Sequence, residues 1–189
     1  MFIQTEDTPN PATVKFIPGQ QILESGTLDF SNAQEAKRVS PLAARLFHIP
    51  SVIRVFLATD FISVTKADDT DWPVLKPMVL AALMEHLSTG QEIIKKAAIS
   101  QNTSTNSNSD DNEITKQIKE LLDTRVRPMV AMDGGDIVFD RFEGGIVFLH
   151  MQGACAGCPS STATLKMGIE NMLRHYIPEV KEVRSAADY

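Results

Sequence analysis

The sequence predicts an α+β protein made of two small α+β domains joined by a flexible polar linker. Three observations predict it. Residues 99–112 read ISQNTSTNSNSDDN, with one apolar side chain among fourteen, and separate two apolar-patterned flanks. Each flank mixes runs that alternate every second residue with stripes at helical spacing. The second flank orders these elements α-β-β-α-β within 77 residues. The expected boundaries are therefore 1–98, 99–112 and 113–189. The polar run cannot bury enough surface to offset its ordering entropy, and as a coil it spans roughly 20 Å.

In the first domain, Thr13 to Ile17, Val52 to Thr59 and Phe61 to Lys66 read as strands, the last two close enough for a hairpin. Ser40 is placed to cap a helix beginning Pro41-Leu42-Ala43. A second helix is expected from Trp72-Pro73 to Ser88, with Leu75, Val79, Leu83 and Leu87 on its inner face. Trp72 is read as packing at the start of that helix.

In the second domain, Ile114, Ile118, Leu121, Leu122 and Arg125-Val126 trace a helical stripe behind acidic Glu113, and Pro128 should kink or end it. Asp133-Gly134-Gly135-Asp136 reads as a turn, its glycines supplying positive φ and its aspartates being turn residues. Ile137 to Phe142 and Ile146 to Met151 form a hairpin through Glu143-Gly144-Gly145. A helix follows from Pro159 to about Tyr176, with Leu165, Ile169, Met172, Leu173 and Tyr176 inward. Glu179 to Val183 closes the domain as a strand.

Composition narrows function. Hydrophobic residues make up 43% and charged residues 22%, an ordinary globular balance. A net charge of −6, split evenly between the halves, argues against nonspecific binding to nucleic acid or anionic membrane. No apolar run approaches the ~20 residues of a membrane span. The glycine pairs are turns, not phosphate loops, because no Gly-Lys-Ser or Gly-Lys-Thr follows them. The methionines share no short spacing and are read as core or surface, not as a soft-metal box.

The chain has two cysteines, Cys155 and Cys158. Two residues between them suit redox or metal chemistry better than a structural disulfide. They lie in Gly153-Ala154-Cys155-Ala156-Gly157-Cys158-Pro159, a loop joining a strand to a helix. The small neighbours leave nothing large to shield the thiols, and neither thiol is needed for the core. Pro159 at the first helical position puts Cys158 near the N-cap, where free N–H groups and the helix dipole favour thiolate.

Two thiolates cannot close a four-ligand site. His150 and His175 are read as exposed or hydrogen-bonded, Asp133 and Asp136 as turn residues, and His48 and His86 belong to the other half. The simplest completion is a second copy of the chain about a two-fold axis, giving a cage of four cysteine thiolates. Such a cage suits zinc or an iron–sulfur cluster. The residues by themselves leave open a cluster carrier, a dithiol–disulfide oxidoreductase and a dimer-bridging zinc site. A thioredoxin-like enzyme would place the pair after the first strand of a βαβ unit, whereas a hairpin precedes it here.

Arg127-Pro128, Asp133-Gly134-Gly135-Asp136 and the Cys155–Cys158 loop continuing into Pro159-Ser160-Ser161 resemble the C-terminal NifU-type domain of Nfu iron–sulfur proteins. The opening Gln4-Thr5-Glu6-Asp7-Thr8-Pro9-Asn10-Pro11 is similar to the N-terminal domain of the alphaproteobacterial and mitochondrial Nfu type. The resemblance implies a non-enzymatic scaffold that holds a 4Fe–4S cluster between two protomers, Cys155 and Cys158 of each being the ligands. It implies a homodimer when loaded, an upstream cluster donor and apo iron–sulfur client enzymes. The catalytic assembly domain of other NifU-related proteins has no counterpart here. The start of the chain lacks a leader pattern, so the expected location is the bacterial cytoplasm, or the mitochondrial matrix for a processed form.

Overall fold

A computed structural model of the protein describes residues 2–95, 113–157 and 159–186, without the side chains of residues 159–161. The expected linker, 99–112, and Cys158 lie outside the described residues. The chain divides into two compact units, Met1–Thr105 and Asn106–Tyr189, each with its own core. The α+β class holds in both.

Among the described residues, the first unit is a five-stranded antiparallel sheet with three helices. Its strands are β1 (Gln4–Asp7), β2 (Thr13–Ile17), β3 (Leu28–Phe30), β4 (Val52–Leu57) and β5 (Ile62–Lys66), in the order β1-β2-β5-β4-β3. The predicted hairpin is β4–β5. It turns through Ala58 to Phe61, where the Ala58 N–H donates to the Phe61 carbonyl at 3.0 Å, so the strands end two residues earlier and start one later than expected. Helix α1 (Ala33–Val39) has no counterpart in the sequence reading; Asn32 caps it by accepting the Glu35 N–H at 2.8 Å. Helix α2 (Pro41–Leu46) begins as expected, with the Ser40 hydroxyl accepting the Ala43 N–H at 3.1 Å.

Helix α3 (Trp72–Ser88) buries Leu75, Val79, Leu83 and Leu87 in the same core cluster as Val14, Phe16, Val55, Ile62 and Val64 of the sheet. Each such side chain, buried from water, contributes about 1.5–3 kcal/mol. Trp72 anchors the start of α3 as predicted, its ring 6.5 Å from that of Phe16 and its indole N–H donating to the Pro11 carbonyl at 3.0 Å. His86 is buried and bonded to the Glu92 carbonyl.

The second unit starts with helix α4 (Glu113–Leu121), a π-helical turn (Leu122–Val126) and helix α5 (Arg127–Met132). Pro128 therefore does not end the helix. The π turn hands over at Arg127, whose N–H donates to the Leu122 carbonyl five residues back. The same turn serves the core. Ile114, Ile118, Leu122, Val126 and Val130 recur every fourth residue, and all pack inward. On a 3.6-residue helix that spacing drifts by about 40° per step, and a wider turn takes up the drift.

Strands β6 (Gly135–Glu143) and β7 (Ile146–Gly153) form the predicted antiparallel hairpin, longer at its open end than expected. Helix α6 (Pro159–Tyr176) crosses back so that β8 (Glu182–Ser185) lies parallel to β7, giving the order β6-β7-β8. The α-β-β-α-β order is as predicted, but β8 begins three residues late. Ile177 and Val180 fill the core between α6 and β8 instead. Tyr176, expected inward, is 48% exposed, and the Arg125 guanidinium covers its ring at 5.0 Å. Five of the methionines, Met78, Met84, Met129, Met132 and Met167, are surface residues.

Candidate functional site

The cysteine loop leaves the end of β7 and lands on the turn that links α5 to β6. The Ala154 N–H donates to the Gly134 carbonyl at 3.1 Å, and the Cys155 N–H to the Gln152 carbonyl at 3.2 Å. The Thr162 hydroxyl of α6 donates to the Cys155 carbonyl at 3.2 Å, tying the far side of the loop. Gly157 has φ 83°, the left-handed conformation that favours glycine.

Cys155 is not open to solvent. It is 6% exposed and belongs to the core of the second unit, with Ile137, Ile169 and Leu173. The expectation that small neighbours leave the thiol unshielded is corrected, as is the view that the core does not need it. Smallness acts the other way, by letting the loop pack down on the α5–β6 turn. Burial pushes the Cys155 thiol up to about 12, and Asp133 and Asp136 push in the same direction.

Gly135 makes that close packing possible. The sequence marks it as a turn glycine, yet of the pair only Gly134 has positive φ (81°), and Gly135 is already in β6. A Cβ on Gly135 would stand 2.5 Å from Cys155 Sγ, 2.7 Å from the Gln152 oxygen and 2.9 Å from Cys155 N. The residue is glycine for space, not for dihedral freedom.

Asp136 is likewise a strand residue, buried to 5% side-chain exposure, rather than a turn aspartate. It accepts two bonds from Arg127, Nε at 2.9 Å and Nη2 at 2.8 Å, and a third from the Ile137 N–H at 2.8 Å. Arg127 also reaches Asp123 at 3.1 Å, and its pairing with Asp136 holds its guanidinium firmly protonated. The fork locks the start of α5 to the strand that seats the cysteine loop. Spacing could not reveal it. An Arg-x8-Asp separation has no local periodicity, and only the fold joins the two.

Replacing Arg127 with methionine should destabilise the second unit by about 2 kcal/mol. That is below the 3–5 kcal/mol for breaking a fully buried pair, because Arg127 is 38% exposed and water replaces part of the interaction. Lysine restores the charge without the fork and should recover only part of the loss. Urea unfolding followed at the amides of β6 measures both.

The other sequence-level candidates fall as expected. His150 is exposed and bonded to Asp140 at 3.2 Å, and exposed His175 stacks edge-on against Tyr176. Among the described residues no group of three or more His, Cys, Asp or Glu side chains could hold a metal ion, and no helix is long and apolar enough to cross a membrane. Cys158 lies outside the described residues, so the structure places one thiol of the pair.

The sequence matches two families, "Scaffold protein Nfu/NifU N terminal" over residues 3–90 and "NifU-like domain" over residues 118–184. It is 50% identical to NifU-like protein 4, mitochondrial, of Arabidopsis thaliana, across 100% of this chain and 67% of that protein. It is 49% identical to the NFU1 iron-sulfur cluster scaffold homolog, mitochondrial, of Homo sapiens, across 100% of this chain and 73% of the relative. A solved NifU-like protein from Saccharomyces cerevisiae aligns with 51% of this chain and 86% of its own at 27% identity, with a TM-score of 0.46.

Proposed function

The chain belongs to the NifU-like/NFU1 family of iron–sulfur cluster scaffold proteins, and on that premise we propose that it carries a 4Fe–4S cluster between two copies of itself. Cys155 and Cys158 of each copy supply the four thiolates. The cluster is cargo, taken from an upstream donor and passed to apo-enzymes, so no catalytic residue is assigned. The observation that carries the reading is the cysteine count. Two thiols in the whole chain make half of a tetrathiolate cage. A cage shared across a two-fold axis opens by separating the copies, and the recipient's own thiolates then replace those that leave. The mitochondrial names of the relatives favour a mitochondrial location.

Anaerobic addition of iron and sulfide tests the proposal. The protein should turn brown with charge-transfer absorption in the visible, and the loaded form should activate an apo 4Fe–4S enzyme. A colourless protein holding zinc, or thiol–disulfide exchange activity without a cluster, would favour the other uses of a Cys-x-x-Cys pair. The polar run between the halves supports independent folding of 113–189. A fragment starting at Glu113 is expected to bind the cluster and pair on binding. A fragment that fails to pair on cluster binding would make residues 1–98 part of the cage.

A further inference from the structure

Helix α3 has an outer face that its own unit leaves uncovered. A surface helix normally turns charged residues outward. Of the eight exposed positions on α3, six are apolar: Pro73, Val74, Pro77, Met78, Ala81 and Met84. Val74 is 62% exposed, Met78 45% and Met84 42%. They form a continuous stripe about three turns long. Along one edge a groove of about 360 Å³ opens between Trp72, Pro73, Lys76, Pro77 and Leu80. Exposed apolar side chains gathered on one face, rather than scattered singly, are a feature of docking surfaces.

Charge decides what docks there. At the N-terminal end of the stripe stand the exposed carboxylates Asp68, Asp69 and Asp71. Asp71 occupies the N-cap but makes no side-chain cap hydrogen bond. Asp7, with its side chain 92% exposed, adds a fourth. The cations near this end are Lys66, which donates to the Ala67 carbonyl, and Lys76, 3.9 Å from Asp7. At the other end Glu85 is matched by Arg45 at 2.9 Å. The exposed carboxylates at the N-terminal end suit a partner that brings its own cations to them.

We infer that the outer face of α3 is a docking surface for a basic amphipathic helix of a partner protein. Its apolar side chains lie on the Val74–Met84 stripe, one anchor fills the groove beside Trp72, and its Lys or Arg residues meet Asp68, Asp69, Asp71 and Asp7. The site lies in the first unit and involves neither cysteine, so its test is independent of cluster binding.

Trp72 is the single tryptophan of the chain and lines the groove, which gives an intrinsic probe. The full-length protein, without cluster, is titrated with a synthetic helix about five turns long that carries a leucine stripe flanked by lysines. Trp72 emission should shift to shorter wavelength, and binding should weaken as salt rises. The double variant Val74→Asp, Met78→Asp should weaken binding by about tenfold or more without altering the fold, since both side chains are exposed. Asp68→Asn, Asp69→Asn, Asp71→Asn should weaken binding and flatten its salt dependence. An unchanged Trp72 spectrum would overturn the inference, as would equal binding of the same helix with glutamates in place of lysines. Self-association in sedimentation that Val74→Asp, Met78→Asp abolishes would overturn it too, by naming a second copy as the occupant.

Discussion

Replacing Cys155 with alanine is expected to abolish cluster binding while the second unit stays folded. The side chain lies in the core, so its removal is not free of cost. Losing one buried sulfur and leaving a small void should destabilise by about 1–2 kcal/mol. Serine is the less clean replacement, because a hydroxyl in that apolar setting without a partner adds about 1–3 kcal/mol. Cys158→Ala should lose the cluster as completely, since two thiolates per copy are needed. The readout is iron and sulfide per chain after anaerobic loading, with circular dichroism to confirm the fold. A full complement of iron and sulfide on either variant would remove that cysteine from the ligand set.

Gly135→Ala should have the second-largest effect and act without touching a ligand. Its methyl would collide with Cys155 Sγ and with two backbone atoms, the Gln152 oxygen of β7 and the Cys155 nitrogen of the loop, all under 3.0 Å. Backbone yields less easily than a side chain, so the cost should lie at the upper end of overpacking, about 3 kcal/mol. For a unit of this size each kcal/mol lowers the melting temperature by about 4–8 °C. The loop that seats Cys155 is pushed off the α5–β6 turn, so cluster loading should fall as well. Gly144→Ala is the control. Its φ is 61°, with nothing within 4 Å of the added Cβ. It should cost about 1–2 kcal/mol of backbone strain and leave loading unchanged. Equal loading of the two variants would deny Gly135 its part in the site.

What can be read before the fold is known follows from what is local in a chain. Leu75, Val79, Leu83 and Leu87 announce α3 because a helix buries one face at a fixed period. Gly144 and Gly145 announce a tight hairpin because both need positive φ, and both have it. Strand β1 escapes such a reading because Gln-Thr-Glu-Asp carries no apolar alternation. It is a polar edge strand, held by its pairing with β2. Helix α1 escapes it because its seven residues bury only Ala36 and depend on the Asn32 cap.

The site divides along the same line. The cysteine pair, the flanking small residues and the helix after them are sequential neighbours and are legible. Residues that work through space are not. Asp136 looks like a turn residue until Arg127, nine positions earlier, closes on it from another element. Gly135 looks like the second half of a turn until a loop far along the chain lies against it. The glycine pair does hold one clue, because Gly134 alone supplies the turn and the second glycine is left needing a reason. Burial of Cys155 is hidden for the same cause, since small residues permit either an open loop or a tightly packed one.

The central claim is that two copies of this chain share one 4Fe–4S cluster through Cys155 and Cys158. Native mass measurement of the full-length protein, loaded anaerobically, tests it most directly. The expected species has two chains with four irons and four sulfides, collapsing to single apo chains when the cluster is removed by a chelator. A complete cluster on a single chain, or two chains bridged by one zinc ion, would contradict it.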